Sequence, residues 1–110
     1  MTDLEMTRLA AEAMGLRVFV DAYGALCLEQ LDILSADNVV YDPLHDDAQA
    51  MALVKRFRID IYAYDSSWAA LLDDNHLHHR APIQYIALEL NRAIVECCAR
   101  MQHQKKAQAK

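Results

Sequence analysis

Glycine and proline are scarce, two of each in 110 residues, and the three cysteines, Cys27, Cys97 and Cys98, are an odd number with no CxxC spacing. With only Gly15 and Gly24 to offer, the chain has no glycine-rich loop to cradle a phosphate, which excludes the P-loop, kinase and dinucleotide fingerprints. Vicinal cysteines on a helix point about 100° apart, so neither a disulfide framework nor a zinc ribbon is encoded and a reducing compartment is the expected home. No segment approaches the roughly 20 apolar residues of a membrane helix. The first fifteen residues carry Asp3, Glu5 and Glu12 and lack the apolar run of a signal peptide, so the expected location is the cytoplasm. Hydroxyl nucleophiles are few (Thr2, Thr7, Ser35, Ser66, Ser67), none stands in a GxSxG elbow, and no enzyme is expected.

What is present is a globular composition, 55% hydrophobic and 25% charged. The length suits one domain, expected over residues 1–104 with a frayed basic tail at 105–110. Sixteen acids against eleven bases give a net charge of −5, which argues against direct nucleic-acid binding. The charge is unevenly spread. Residues 1–54 hold ten acids and only Arg8 and Arg17, whereas residues 55–110 hold nine bases and six acids.

Periodicity predicts the elements. Met6, Leu9, Ala10 and Ala13 repeat at helical spacing after a Thr2 or Asp3 cap and before Gly15, giving a helix over 3–14. Val18-Phe19-Val20, Tyr23-Gly24 and Leu26 to Leu28 read as a hairpin resuming through Leu31–Leu34, and Val39-Val40-Tyr41, after an Asp37-Asn38 turn, as a strand ended by Asp42-Pro43. Ala50, Leu53, Val54 and Phe57 predict a second helix over 46–58, with acids at its start and Lys55, Arg56 and Arg58 at its end. Residues 59–65 alternate as a strand, and Trp68–Leu72 pairs back across Asp65-Ser66-Ser67. A histidine-rich loop over 73–80 precedes Pro82 and a long helix over 82–103, whose apolar stripe is Ile83, Ile86, Ala87, Leu90, Ile94, Cys97 and Met101 and whose other side pairs Glu89, Arg92, Glu96 and Arg100. The expected fold is α+β: a single two-layer domain with an antiparallel sheet of about four to five short strands covered by three helices, in the order αββ(β)αββα. Its expected core is Leu9, Ala13, Val18, Val20, Leu28, Val40, Leu53, Phe57, Ile61, Ile86, Leu90 and Ile94.

The run Tyr41-Asp42-Pro43-Leu44, then Asp46-Asp47-Ala48, Ala50, Leu53 and the apolar segment through Ile59, resembles a segment of small uncharacterised proteins encoded in bacteriophages and prophages of Gram-negative bacteria. Those proteins also open with an Ala-rich helix closing on Gly-Leu or Gly-Ile, as at Ala10 to Leu16, and end on a helix like Ala93-Ile94-Val95-Glu96-Cys97. This chain departs from them at Arg58, where they carry a helix-ending glycine. The resemblance implies a phage accessory protein in a bacterial host cell and brings no known activity to any residue.

Three functional classes follow. In the first the protein binds and inhibits a host protein with a basic, nucleic-acid-binding surface, through an acidic face drawn from Asp21, Glu29, Asp32, Asp37, Asp42, Asp46 and Asp47; carboxylates on a rigid domain steer association with Lys and Arg and compete with nucleic acid. The contact is expected at Asp32, Asp37, Asp42, Asp46 and Asp47, with Tyr41 as an aromatic anchor. A phage origin makes defence complexes, such as a CRISPR effector or its helicase-nuclease, sensible targets, which is an anti-CRISPR reading. In the second class the chain is a structural or assembly factor that forms a homodimer or binds a phage partner. In the third it is a small metal-dependent enzyme, with His76, His78 and His79, beside Asp73 and Asp74 and with His45 as a further ligand, holding zinc or nickel. HxHH lacks the i, i+4 spacing that presents two imidazoles to one ion, so no metal or other cofactor is expected and the loop reads as a solvated or partner-contacting one. Cys97 continues an apolar stripe and reads as a core residue.

Overall fold

The computed structural model describes residues 1–29, 39–72 and 83–108, and among them three helices and six strands. The order is α1 (Asp3–Ala13), β1 (Val18–Val20), β2 (Leu26–Leu28), β3 (Val39–Val40), α2 (Asp47–Phe57), β4 (Asp60–Ala63), β5 (Trp68–Leu72), β6 (Ile83–Ala87) and α3 (Leu90–Gln108). The α+β class with antiparallel pairing is as expected. The strands, however, divide between two three-stranded sheets, β1-β2-β3 and β4-β5-β6, because α2 intervenes between β3 and β4 and each central strand takes its neighbours from its own half.

Local chemistry sets the element ends. Thr2 caps α1 with a reciprocal box: the Glu5 N–H donates to Thr2 Oγ1 at 3.1 Å and the Thr2 N–H to Glu5 Oε2 at 3.3 Å. Gly15, at φ 75°, closes it, with the Leu16 N–H reaching Ala11 O and the Gly15 N–H reaching Glu12 O. In the first hairpin the Asp21 carboxylate accepts from the Tyr23 and Ala25 N–H groups at 2.9 Å each. These backbone donors, Ala25's foremost, hold the Asp21 carboxyl below its usual pKa.

Arg58, which closes α2, sits in the left-handed region at φ 53°. A side chain there costs roughly 1–2 kcal/mol that glycine avoids, less the greater entropy glycine loses on folding. Arg58→Gly is therefore expected to raise unfolding free energy by about 0.5–1 kcal/mol, read by chemical denaturation; a loss would mean that the arginine's contacts outweigh its backbone strain.

The main core lies where α1 and α2 flank α3 and α3 covers β5 and β6. Met6 and Ala10 of α1, Leu53 of α2, Ala70 and Leu72 of β5, and Ile94, Val95, Cys97, Cys98 and Met101 of α3 are buried together. A smaller cluster of Ala11, Leu26 and Tyr41 ties the first sheet to α1. Of the expected core, Leu53 and Ile94 are fully buried, and Leu9, Ala13, Val18, Leu28, Phe57, Ile61 and Leu90 are partly buried against the two clusters. Val20 and Val40 are exposed, because they lie on the edge strands of a small sheet whose centre, Leu26 and Cys27, takes the buried places.

The largest correction concerns residues 83–89. A helix over 82–103 is expected from periodicity, yet Ile83–Ala87 is a strand paired with β5, Trp68 opposite Ala87 and Leu72 opposite Ile83. Ile83, Tyr85 and Ala87 face the core while Gln84 and Ile86 face out, so Ile86 is 54% exposed where burial is expected. The open apolar edge of β5 outweighs helical spacing here. At the other end, α3 continues to Gln108 where fraying is expected, and Lys106 Nζ reaches Glu12 Oε2 at 3.1 Å. Expected strand content at Leu31–Leu34, the Asp37-Asn38 turn and Pro82 lie outside the described residues.

Candidate functional site

The segment between β3 and α2 alternates sharply in burial. Tyr41, Pro43 and Leu44 are buried, whereas Asp42 is half-exposed and His45, Asp46 and Asp47 are exposed. Proline fixes the chain direction and puts its ring inward, so the carboxylates project from a turn with little freedom left to lose. Asp42 O accepts from the His45 and Asp46 N–H groups, and the Tyr41 N–H donates to Leu26 O. Gln49, three residues after the cap, ties the entry of the turn to α2: its Oε1 accepts from the Asp42 N–H at 2.6 Å and its Nε2 donates to Val40 O at 3.0 Å.

Each carboxylate also has a local task. Asp46 caps α2, its Oδ1 accepting from the Gln49 N–H at 3.0 Å. Asp47 Oδ1 accepts from Asn91 Nδ2 at 2.9 Å, which joins the N-terminal ends of α2 and α3. Asp42 holds the His45 ring, with Nδ1 at 3.1 and 2.9 Å from its two oxygens. Asp46 and Asp47 lie at the N-terminal end of α2, where the helix dipole favours negative charge.

Other acids of the N-terminal half are folded back onto basic partners. Asp3 Oδ1 lies 2.9 Å from Arg92 Nη2, and Arg92 Nε lies 3.0 Å from Glu96 Oε1. Glu12 lies on Lys106 and Asp21 is satisfied by its own turn; among the described residues Asp42, Asp46 and Asp47 gather at residues 42–47, and Glu29 lies exposed after β2. Asp32 and Asp37 lie outside the described residues.

Tyr41 is a core residue, not an exposed anchor. It is 5% exposed, in the cluster with Ala11 and Leu26, and its hydroxyl has no hydrogen-bond partner among the described residues. Burial, with a smaller contribution from Cys98 nearby, pushes its pKa up to about 12. A buried unpaired hydroxyl costs about 1–3 kcal/mol. Tyr41→Phe, which keeps the ring, is accordingly expected to leave stability unchanged or raise it by about 1 kcal/mol; a loss beyond about 1 kcal/mol in a thermal melt would show that the hydroxyl is satisfied in solution.

Gln49 and Asn91 were not foreseeable in equal measure. Gln49 stands at the N3 position of a capping box after Asp46, a sequence-level signal, although it reaches past the cap to Asp42 and Val40. Asn91 meets Asp47 across 44 residues of chain, and no local pattern announces that. Among the described residues no group of three His, Cys, Asp or Glu side chains is placed to hold a metal ion. His76, His78 and His79, with Asp73 and Asp74, lie outside the described residues. Cys97 and Cys98 are buried in the main core, as expected for the first. Among the described residues no helix is long and apolar enough to cross a membrane.

No family model matches the chain, and none of the curated proteins matches it either.

Proposed function

We propose that this protein acts by stoichiometric binding to another protein, and that the acidic turn at Asp42, Asp46 and Asp47 is its point of contact. The observation that carries this reading is the bracing of the turn: buried Pro43 and Leu44, the double hydrogen bond of Gln49 and the Asp47–Asn91 link fix three solvent-facing carboxylates in place. Charges held this way meet Lys and Arg with little ordering cost and speed encounter at low salt. The partner has a basic, nucleic-acid-binding surface. Combined with the resemblance to phage-encoded proteins, this makes an inhibitor of a host defence complex, such as a CRISPR effector or its helicase-nuclease, the favoured role. The expected result is that one equivalent of this protein displaces nucleic acid from a partner isolated from host extract, with competition that weakens as salt rises; co-occupancy of partner by protein and nucleic acid would discard the mimicry.

A second reading, self-association or assembly with a phage partner, has one observation in its favour. Tyr62 and Ile86 share a row across β4-β5-β6 on the outward face, both about half exposed, with Leu88 at 78% exposure just beyond. Sedimentation equilibrium of the protein alone separates the readings, a dimer dissociated by Ile86→Lys supporting assembly.

A further inference from the structure

Beside the acidic turn a cleft of about 520 Å³ opens between α2 and the start of α3. Its walls are Leu44, Ala50, Met51, Leu90 and Ile94, and its two lips carry Asp47 and Glu89. Asn91 also lines it, but its amide is committed to Leu44 O at 3.4 Å and to Asp47 at 2.9 Å, so it closes the joint between the helices and does not add a free donor. Among the described residues no base lines the cleft. Arg92 next in sequence is held by Asp3 and Glu96, and Lys55 lies one helical turn beyond Met51, about 6 Å along the axis.

Met51 stands 41% exposed at this wall in the middle of a helix that buries Ala50 and Leu53. An unbranched thioether side chain at an open apolar cleft can conform to whatever enters. An apolar floor between acidic lips selects one ligand chemistry, aliphatic side chains flanked by cations, and the volume lies in the range of sites that take several side chains. We infer that this cleft receives a basic amphipathic segment of the partner, its aliphatic side chains between Met51 and Leu90 and its Lys or Arg residues against Asp47 and Glu89. This rests on the reading of the acidic turn as the contact and extends that surface from a purely electrostatic one to one with an apolar centre and a charged rim.

The probe is a fourteen-residue peptide of Leu and Lys with helical amphipathic spacing, compared with the same peptide in which Ser replaces every Leu and with one in which Glu replaces every Lys. Affinities are measured by fluorescence anisotropy for the wild-type protein, for Met51→Gln, which keeps charge and helix propensity, and for Asp42→Asn, outside the cleft. The Leu/Lys peptide is expected to bind at least about tenfold more tightly than the Ser/Lys peptide, since one buried aliphatic side chain accounts for that much. Met51→Gln should collapse this ratio while Asp42→Asn weakens both basic peptides alike. Amide shifts at Ala50, Met51 and Asn91 on adding the Leu/Lys peptide should accompany binding. A ratio near one, with Asp42→Asn still weakening both basic peptides, overturns the cleft and leaves the acidic turn standing. Equal binding of the Leu/Glu peptide, or affinities indifferent to both substitutions, overturns the cleft and the acidic turn together.

Discussion

Ile94→Ala should destabilise the protein by about 2–5 kcal/mol, whereas Ile86→Ala should cost no more than about 1 kcal/mol. Both isoleucines belong to one helical stripe when residues 82–103 are read by spacing. In the fold Ile94 is 1% exposed and belongs to the main core on α3, while Ile86 faces away from that core on an edge strand. Truncating Ile94 removes its apolar burial and leaves a void that Val95, Cys98 and Leu53 cannot fill without moving, because interiors are close-packed. Truncating Ile86 removes a side chain already half in water. Urea or guanidinium unfolding of the two variants reads the difference in midpoint directly. Equal losses would mean that residues 83–89 are wound into the helix.

Alkali should unfold the protein more readily than its carboxylate and ammonium content would. Burial pushes the Cys97 thiol up to about 12 and moves the adjacent Cys98 thiol up further, and Tyr41 rises to about 12 as well. Each of these groups holds its proton more firmly folded than unfolded, so the native state binds more protons between the unfolded and folded pKa values and stability falls as pH rises through that interval. For Cys97 the window opens near pH 9, where an unfolded cysteine ionises, and closes near pH 12. For Cys97, three units at about 1.4 kcal/mol each amount to roughly 4 kcal/mol lost across the window. Denaturation midpoints collected from pH 8 to 11, with thiolate absorbance followed in parallel, check this. Flat stability with thiols that ionise at the ordinary pH would place Cys97 and Cys98 at the surface.

Elements whose ends carry their own chemistry were legible in the sequence. The Thr2 box and Gly15 bound α1, Asp46 opens α2, and alternation at Asp60–Ala63 followed by a short polar turn gives the β4-β5 hairpin. What was not legible depended on partners distant in sequence. Ile83–Ala87 satisfies helical and strand spacing equally, and only the availability of β5 decides for a strand. Near the end of α3 Lys106 pairs with Glu12, far away at the other end of the chain, a contact that no local pattern announces. The acidic turn was visible as a cluster of charges around a proline, yet the contact that ties Asp47 to Asn91 joins residues far apart in sequence and had no local signal. Tyr41, an aromatic beside charges, reads equally well as anchor or core until Ala11 and Leu26 close over it.

The measurement closest to the central claim is a calorimetric titration of the proposed partner with the wild-type protein and with the variant carrying Asp42→Asn, Asp46→Asn and Asp47→Asn together, at low and high salt. Asparagine retains an acceptor oxygen for the Gln49 N–H, for Asn91 and for His45, and it is as good an N-cap as aspartate, so the substitutions remove three charges and keep the turn. Saturation at one equivalent is expected for both proteins, with affinity at low salt lowered about tenfold or more in the variant, the difference shrinking at high salt, and the melting temperature preserved. Equal affinity at both salt concentrations, with the variant fully folded, would contradict it.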